Sequence, residues 1–471
     1  MTFTRIEFFI FFATVLGLLY VIANNKHRKL LLLAASYYFY AFWDYRFLSL
    51  LLVITLVDYI VGARIYHNPD PSKRKLLLFA SIFTNMGILF FFKYFNFFVS
   101  SFNSALAPLN FNLRTLSIIL PVGISFYTFQ ALSYTIDIYR KKIEPVNNLL
   151  DFALFVAFFP QLVAGPIIRA SDFLPQLRSK THLSRENFVI GFRLFVIGLL
   201  KKVFIADKLS LFVDPVFENF SVYDSATIWL AILAYSIQIY CDFAGYSDMA
   251  IGSARMMGYK LDINFNFPYL ARNIQDFWRR WHISLSSWIR DYVYIPLGGN
   301  RLGKRRTIIN TVATMFICGL WHGAAWTFAV WGLFHGIALA AGRMFNQNKS
   351  ASPSRNEVRS RLTGILGRLA TLLAIIIGWV LFRSQTFTQA WRILYKMFVL
   401  SNGISWLHPF VLFVISITIL YHLIVYWNIR VLDFIRLPEQ AWYTPAALFS
   451  LIWLVIVFHP MEFKPFIYFQ F

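Results

Sequence analysis

Residues 277–322 read FWRRWHISLSSWIRDYVYIPLGGNRLGKRRTIINTVATMFICGLWH. A basic, aromatic, histidine-bearing segment runs here into an apolar helix that ends on a second histidine, while nearly everything on either side is compatible with hydrocarbon. A charge at the centre of a membrane helix costs roughly 2.5 to 3.5 kcal/mol on insertion scales, so ionisable residues set among membrane segments mark a pathway or a site. His322 follows the apolar helix start at Ile308 by about fourteen residues, roughly 20 Å of rise, which predicts an imidazole well inside the bilayer. A neutral histidine there can act as a general base, since its ordinary pKa lies near neutrality. A hydrogen-bonded structural histidine is the other reading. His282 stands four residues before Ser286, and on one continuous helix the two would share a face and could form a Ser/His pair. The competing reading is an interfacial helix whose serines bond locally.

Working outward, composition sets the class. The chain of 471 residues is 58% hydrophobic, 19% aromatic and only 14% charged. Its mean hydropathy is +0.58. Such a chain cannot cover itself with a soluble surface, and is read as an all-α, multi-pass membrane protein. The net charge of +22 lies in short Lys/Arg clusters between apolar runs, the pattern of the positive-inside rule and not of a nucleic-acid binder. Cys241 and Cys318 lie far apart in apolar segments, which argues against a disulfide.

Taken in order, Ile6 to Ala23 is read as a retained first span. The cluster Lys26-His27-Arg28-Lys29 places its end in the cytoplasm. Leu30 to Trp43 and Phe47 to Tyr66 form a hairpin, Leu76 to Val99 and Leu116 to Tyr139 are the next spans, and both returns end on basic clusters. Leu149 to Ile168 is interrupted by Pro160 and Gly165-Pro166 and reads as re-entrant, lining something at membrane depth. Phe188 to Ala206 and Ala226 to Asp242 flank an external loop carrying Asp214, Glu218 and Asp224, and Gly258 to Arg306 suits interfacial or re-entrant helices. Ile308 to Ala341 makes a hairpin turning near His322, and 343–361 is a flexible cytoplasmic linker. Later spans run Leu362 to Phe382, Trp406 to Trp427 and Ala446 to Phe458, ahead of an amphipathic tail PFIYFQF. The expectation is about eleven spans in a single domain, 1–471.

Arg279, Arg280, Arg290, Arg301, Lys304, Arg305 and Arg306 make a cytoplasmic basic rim, explained either by topology and lipid headgroups or as a cradle for a polyphosphate ligand. Of these, Arg279, Arg280, Arg290 and Arg305 are the candidate donor-binding residues. Asp242 and Asp248, beside an apolar span, either orient interior residues or pair with arginines. His335 is expected to pack. No CxxC, HExxH or paired-His spacing occurs, and no metal is expected.

Five stretches together resemble the membrane-bound O-acyltransferase family, in its bacterial alginate O-acetyltransferase-like branch. They are PVGISFYTFQALSYTIDIYR, FFPQLVAGPIIR, YCDFAGYSDMAIG, DFWRRWHISLSSWIRDYVYIPLGGNR and GLWHGAAWTFAVWGLFHG. The resemblance implies a ring of tilted helices around a thin central region pierced by a tunnel. It implies that His322 is catalytic within it and that His282 is the second functional position; Trp281, Ser286, Asp242, Asp248 and Trp321 are read beside them as lining or supporting residues. It further implies acetyl-CoA as a cytoplasmic donor substrate with no permanently bound cofactor, a periplasmic serine-hydrolase-like partner, membrane lipid around the chain, and a bacterial inner membrane location. Alginate, cellulose and peptidoglycan are all compatible polymers, D-alanyl transfer is the neighbouring chemistry, and a transporter or a non-catalytic scaffold of polymer export are the readings from other classes.

Overall fold

The computed structural model describes residues 1–109, 112–179, 181, 183–347, 357–427, 441–458 and 464–467. The helices in chain order are α1 (Ile6–Val21), α2 (Asn25–Asp44), α3 (Leu48–His67), α4 (Pro71–Leu89), α5 (Phe95–Leu106), α6 (Ile124–Tyr139), α7 (Leu149–Ala157), α8 (Phe159–Leu162), α9 (Ala170–Arg178) and α10 (Arg185–Leu199). There follow α11 (Asp207–Glu218), α12 (Ser225–Met256), α13 (Ile274–Arg280), α14 (Ile283–Ile289), α15 (Gly303–His322), α16 (Trp326–Gln347), α17 (Glu357–Arg383), α18 (Phe387–Phe398), α19 (Pro409–Tyr426) and α20 (Thr444–Val457). No strand occurs among the described residues, so the protein is all-α there, with one isolated bridge between Tyr223 and Ile404. Among the described residues, five helical stretches are long and apolar enough to cross a membrane: 25–67, 71–109, 225–256, 364–383 and 409–426. Helix starts carry the expected chemistry. Asn24 accepts from the Lys26 and His27 amides, and Asp70 accepts from Ser72 with Pro71 in the first turn, each meeting amides that a helix leaves unpaired.

Backbone packing divides the chain into two units, one of residues 1–195 and 246–262 and the other of 196–245 and 263–471. In the first, Lys29 is buried against Asp151 at 2.6 Å, so this member of the first basic cluster serves packing. Asp58 on α3 is fully buried and accepts from Ser81 (2.5 Å) and Asn85 (2.8 Å) of α4, tying two apolar helices together through polar groups. Of Leu149 to Ile168, the segment read as re-entrant, residues 151–168 are buried and the helix breaks at Phe158. Protein groups meet the interruption: Gln161 and Gln130 donate to the Phe155 carbonyl at 2.9 and 3.3 Å, and the Ser36 hydroxyl accepts from the Phe159 amide. The span read from Leu116 is shorter than expected. Residues 112–123 are not helical, because Pro121 and the left-handed Gly123 (φ 77°) delay the helix to Ile124.

In the second unit the external loop expected after Ala206 is helix as far as Glu218, so Asp214 and Glu218 lie on α11 while Asp224 stays in the non-helical stretch after it, and Asp214 pairs with Arg383 at 3.0 Å. Asp242 lies inside α12, which runs on far past the boundary read for that span. Of the linker 343–361, the flanks 343–347 and 357–361 are helical and 348–356 fall outside the described residues. Within the tail, Phe466 and Ile467 are buried, and 468–471 fall outside.

The centre of this unit is the antiparallel pair α15 and α16. Gly319, Gly332 and Gly336 let the two backbones touch: an added Cβ would strike the Phe328 carbonyl, the Met315 carbonyl and Val312 Cα respectively. Small residues at helix contacts are how membrane helices gain packing where water supplies no hydrophobic drive. We expect Gly332→Val to lower the thermal unfolding midpoint of the purified protein, at a cost of at least the 1–3 kcal/mol typical of overpacking. Gly17→Ala in α1, where nothing lies within 4 Å, leaves it unchanged or slightly raised. Equal midpoints for the two variants would refute the close backbone contact.

Candidate active site

The polar segment of the second unit is built from short helices because its backbone turns at His282. Helix α13 starts on Asn273, whose side chain caps the Asp276 amide, and stops at Trp281; His282 then takes a left-handed conformation (φ 43°). Left-handed backbone is uncommon for a side-chain-bearing residue, with histidine among the better tolerated. His282 caps α14, its Nδ1 accepting from the Leu285 amide at 3.3 Å. Asn264 holds the same turn, its carbonyl accepting from the Ile283 amide and its side-chain oxygen from the Ser284 hydroxyl at 2.9 Å. Since Nδ1 accepts, the neutral ring carries its proton on Nε2. Burial holds the imidazole well below its usual range, which keeps it neutral. Of the two readings for His282 and Ser286, the structure bears out local bonding of the serine and not a Ser/His pair: the helix breaks at the histidine, and Ser286 Oγ donates to the Trp281 carbonyl at 3.2 Å.

His322 is the last residue of α15 and is buried. Its ring lies 5.0 Å from Trp331, 5.1 Å from Trp321, 5.5 Å from Phe382 and 6.4 Å from His282, centroid to centroid. His282 packs edge-on to Phe243 at 4.6 Å and lies 5.8 Å from Trp321. Two histidines from distant stretches thus share one aromatic enclosure. Trp281 is fully buried beneath it, stacked on Phe277 and 4.9 Å from Trp379. His335 packs among Trp331, Trp278 and Phe277, as the sequence led us to expect.

A cavity of about 390 Å³ runs between α13, α14, α15 and α16. Its wall includes Arg279, Ser286, Arg290, Tyr294, Cys318 and Arg343. Cys318 connects it to the enclosure, its Sγ lying 4.0 Å from His322 Nε2, one turn along the same helix. Arg343 was absorbed into the linker by sequence reading. Here it donates to the Tyr294 hydroxyl and to Thr311 Oγ1, both at 2.8 Å, with its guanidinium 5.3 Å over the Tyr294 ring. A single arginine closing an apolar helix was the available signal. Tyr294 reaches it from a π-helical turn, residues 290–294, a local irregularity common at functional sites.

The remaining candidates divide. Arg279 and Arg290 line the cavity, although Arg290 also pairs with Asp291 at 2.6 Å. Arg280 does not: it is held by Asp276 at 2.9 Å and donates to the Asn266 carbonyl. Arg305, on the exposed first turn of α15, is not a wall residue either. Asp242 pairs with a lysine and not an arginine. Lys202, turned inward by the π-helical residues 200–206, lies 2.5 Å from Asp242 and 2.7 Å from Asp207, and Asp242 also accepts from the Ile467 amide at 2.7 Å. Asp248, further along α12, falls in the other packing unit. Among the described residues no three His, Cys, Asp or Glu side chains are grouped so as to hold a metal ion.

The fold and site therefore define a helical membrane protein with a buried histidine pair, one member of which touches Cys318 in the wall of an arginine-bearing cavity. The profile of the membrane-bound O-acyltransferase family matches residues 32–384. Over 401 residues, 84% of this chain and 74% of the other, the sequence is 43% identical to a probable alginate O-acetylase AlgI of Pseudomonas aeruginosa. It is 39% identical over 396 residues to a peptidoglycan O-acetyltransferase of Helicobacter pylori, covering 79% of this chain and 73% of that one. A teichoic acid D-alanyltransferase of Bacillus subtilis is 29% identical over 286 residues, 56% of this chain and 69% of its own. The chain belongs to the membrane-bound O-acyltransferase family and is a multi-pass membrane O-acyltransferase.

The buried ion triad carries its own expectation. Asp242→Ala leaves Lys202 and Asp207 with an incomplete partner set and should cost about 3–5 kcal/mol, as breaking buried pairs does. Replacing the triad with Lys202→Met, Asp207→Asn and Asp242→Asn should restore most of it. Urea or thermal unfolding in detergent reads both, and a triple variant less stable than the single would contradict this account.

Proposed function

We propose that the chain moves an acetyl group from cytoplasmic acetyl-CoA to a hydroxyl destined for an extracytoplasmic polysaccharide such as alginate, working with a periplasmic serine-hydrolase-like partner in a bacterial inner membrane. The observation that carries this reading is the cavity that begins among Arg279, Arg290 and Arg343 and reaches Cys318, in contact with His322. Arginines suit the phosphates of a coenzyme. The two O-acetyl-transferring relatives, one named for alginate and one for peptidoglycan, support acetyl as the cargo. D-alanyl transfer remains the alternative named by a more distant relative.

In this mechanism His322 takes the proton of the acceptor hydroxyl as its oxygen attacks the thioester carbonyl. The tetrahedral oxyanion collapses, the C–S bond breaks, and the leaving thiolate receives the proton from the imidazolium. A thioester is already a good acyl donor, so positioning and proton transfer suffice without an acyl-enzyme. We assign the Nε2–H of His282, the tautomer that the Nδ1 cap selects, to stabilising the oxyanion.

His322→Ala should lower acetylation about 10²–10⁴-fold at unchanged membrane abundance, the range for a lost general base. Retained acetylation removes His322 from the mechanism. For His282, asparagine tolerates left-handed backbone and caps helices, whereas alanine does neither. His282→Asn should therefore keep the fold yet lose transfer, and His282→Ala should lose stability as well; an active, stable His282→Asn would make the residue a cap only. Arg343→Ala and Arg279→Ala should raise the KM for acetyl-CoA at least several-fold while Arg280→Ala does not, measured with the thioester in vesicles.

A further inference from the structure

Helix α18 has three distinct faces. Ala390, Ile393 and Met397 are buried against the protein. Thr388 and Arg392 point to solvent, and beside them Gln389 donates to the Phe217 carbonyl and Lys396 to the carbonyls of Ser221 and Tyr223. The third face carries Phe387, Trp391, Tyr395 and Phe398, which recur at one-turn spacing and are all exposed, Trp391 by 70%. The loop that follows continues this surface with Leu400, 95% exposed, Ile404 and Leu407.

This face is held rigidly. Thr386 caps the Gln389 amide while Gln389 accepts from the Gln385 amide, a reciprocal start, and Trp229 donates to the Met397 carbonyl at 2.6 Å. Ser401 and Ile404 bond to the segment 222–225. An exposed aromatic stripe kept in place by polar contacts on its other sides is a surface built for a partner.

What covers it follows from its neighbours in the chain. Helices α17 and α19, on either side, each contain a stretch able to cross a membrane, so residues 384–408 leave the bilayer and re-enter it on one face. Aromatic side chains beside a polar strip carrying arginine are the composition of the headgroup layer. Phe382, near the end of α17, touches the His322 ring, and the non-helical residues 384–386 join it to Phe387 at the start of α18.

We propose that α18 is a membrane-interface helix whose Phe387–Trp391–Tyr395–Phe398 face lies in the lipid headgroup layer, which sets the histidine pair, in contact with Phe382 at the end of α17, toward that surface of the bilayer. The placement is independent of the acyl donor. It puts the reacting centre close to the face opposite the arginine end of α15 and α16, so that an acceptor has only a short path to reach His322.

The test uses the full chain in phosphatidylcholine–phosphatidylglycerol nanodiscs with single cysteines at Trp391, Tyr395, Thr388, Arg392 and, as a mid-span reference, Ile417. Each is labelled with a nitroxide, with the unsubstituted chain controlling for the buried Cys241 and Cys318. Collision with oxygen and with a water-soluble nickel chelate reports depth. The expected result is nickel collision several-fold lower at 391 and 395 than at 388 and 392, with oxygen collision between the aqueous and Ile417 values. Nickel collision at 391 and 395 equal to that at 388 and 392 overturns the proposal and makes the stripe a face for a soluble protein. Values equal to those at Ile417 overturn it in the other direction, placing α18 in the hydrocarbon and the histidines deeper.

Discussion

The contact on which the second unit depends is backbone against backbone. With Gly319 under the Phe328 carbonyl and Gly332 under the Met315 carbonyl, α15 and α16 approach closer than any side chain would allow. That approach brings Trp331 onto the ring of His322 and puts His335 one turn further along against Trp278 and Phe277. Widening the pair by the bulk of one methyl group would pull Trp331 from the histidine and open the wall that Cys318 and Met315 give the cavity.

The enclosure so formed is apolar, and its chemistry rests on a few fixed polar atoms. At His282 a left-handed turn, an Nδ1 cap and the Asn264 bonds select one tautomer of one ring. A loose histidine in water would sample both tautomers and a proton besides. Lys202, Asp207 and Asp242 illustrate the other use of buried charge: the two carboxylates share one ammonium, and Asp242 ties down the Ile467 amide, so they anchor the chain and take no place in the cavity. Arg343 stands between these cases, satisfied by neutral hydroxyls that leave its charge uncancelled toward the cavity.

Much of this was legible in the residues. Long apolar runs, basic clusters and the dense polar stretch 277–322 define an all-α membrane protein and locate the part that matters, since hydrocarbon penalises every polar group that lacks a purpose. Both histidines could be picked out on that ground. Less legible was anything that depended on where a helix stops. His282 and Ser286 seemed a pair only while one helix was assumed through both, and Asp214 seemed to be in a loop because its charge hid an amphipathic helix. Helix α18 went unread since its periodicity is short and its aromatic residues fit a span, a loop or an interface equally well.

The residues alone determined the all-α membrane class and singled out the two histidines as candidates, because burial in lipid is a demand on composition that each stretch must meet by itself. The tertiary structure alone decided which arginines share a cavity and that the two imidazoles share one enclosure. Arg280 and Arg279 are adjacent in sequence, yet one is turned onto Asp276 and the other toward the cavity, while Arg343 joins it from another helix. Such choices follow from helix phase and from the distance between backbones, and those are properties of packed pairs that no single stretch contains.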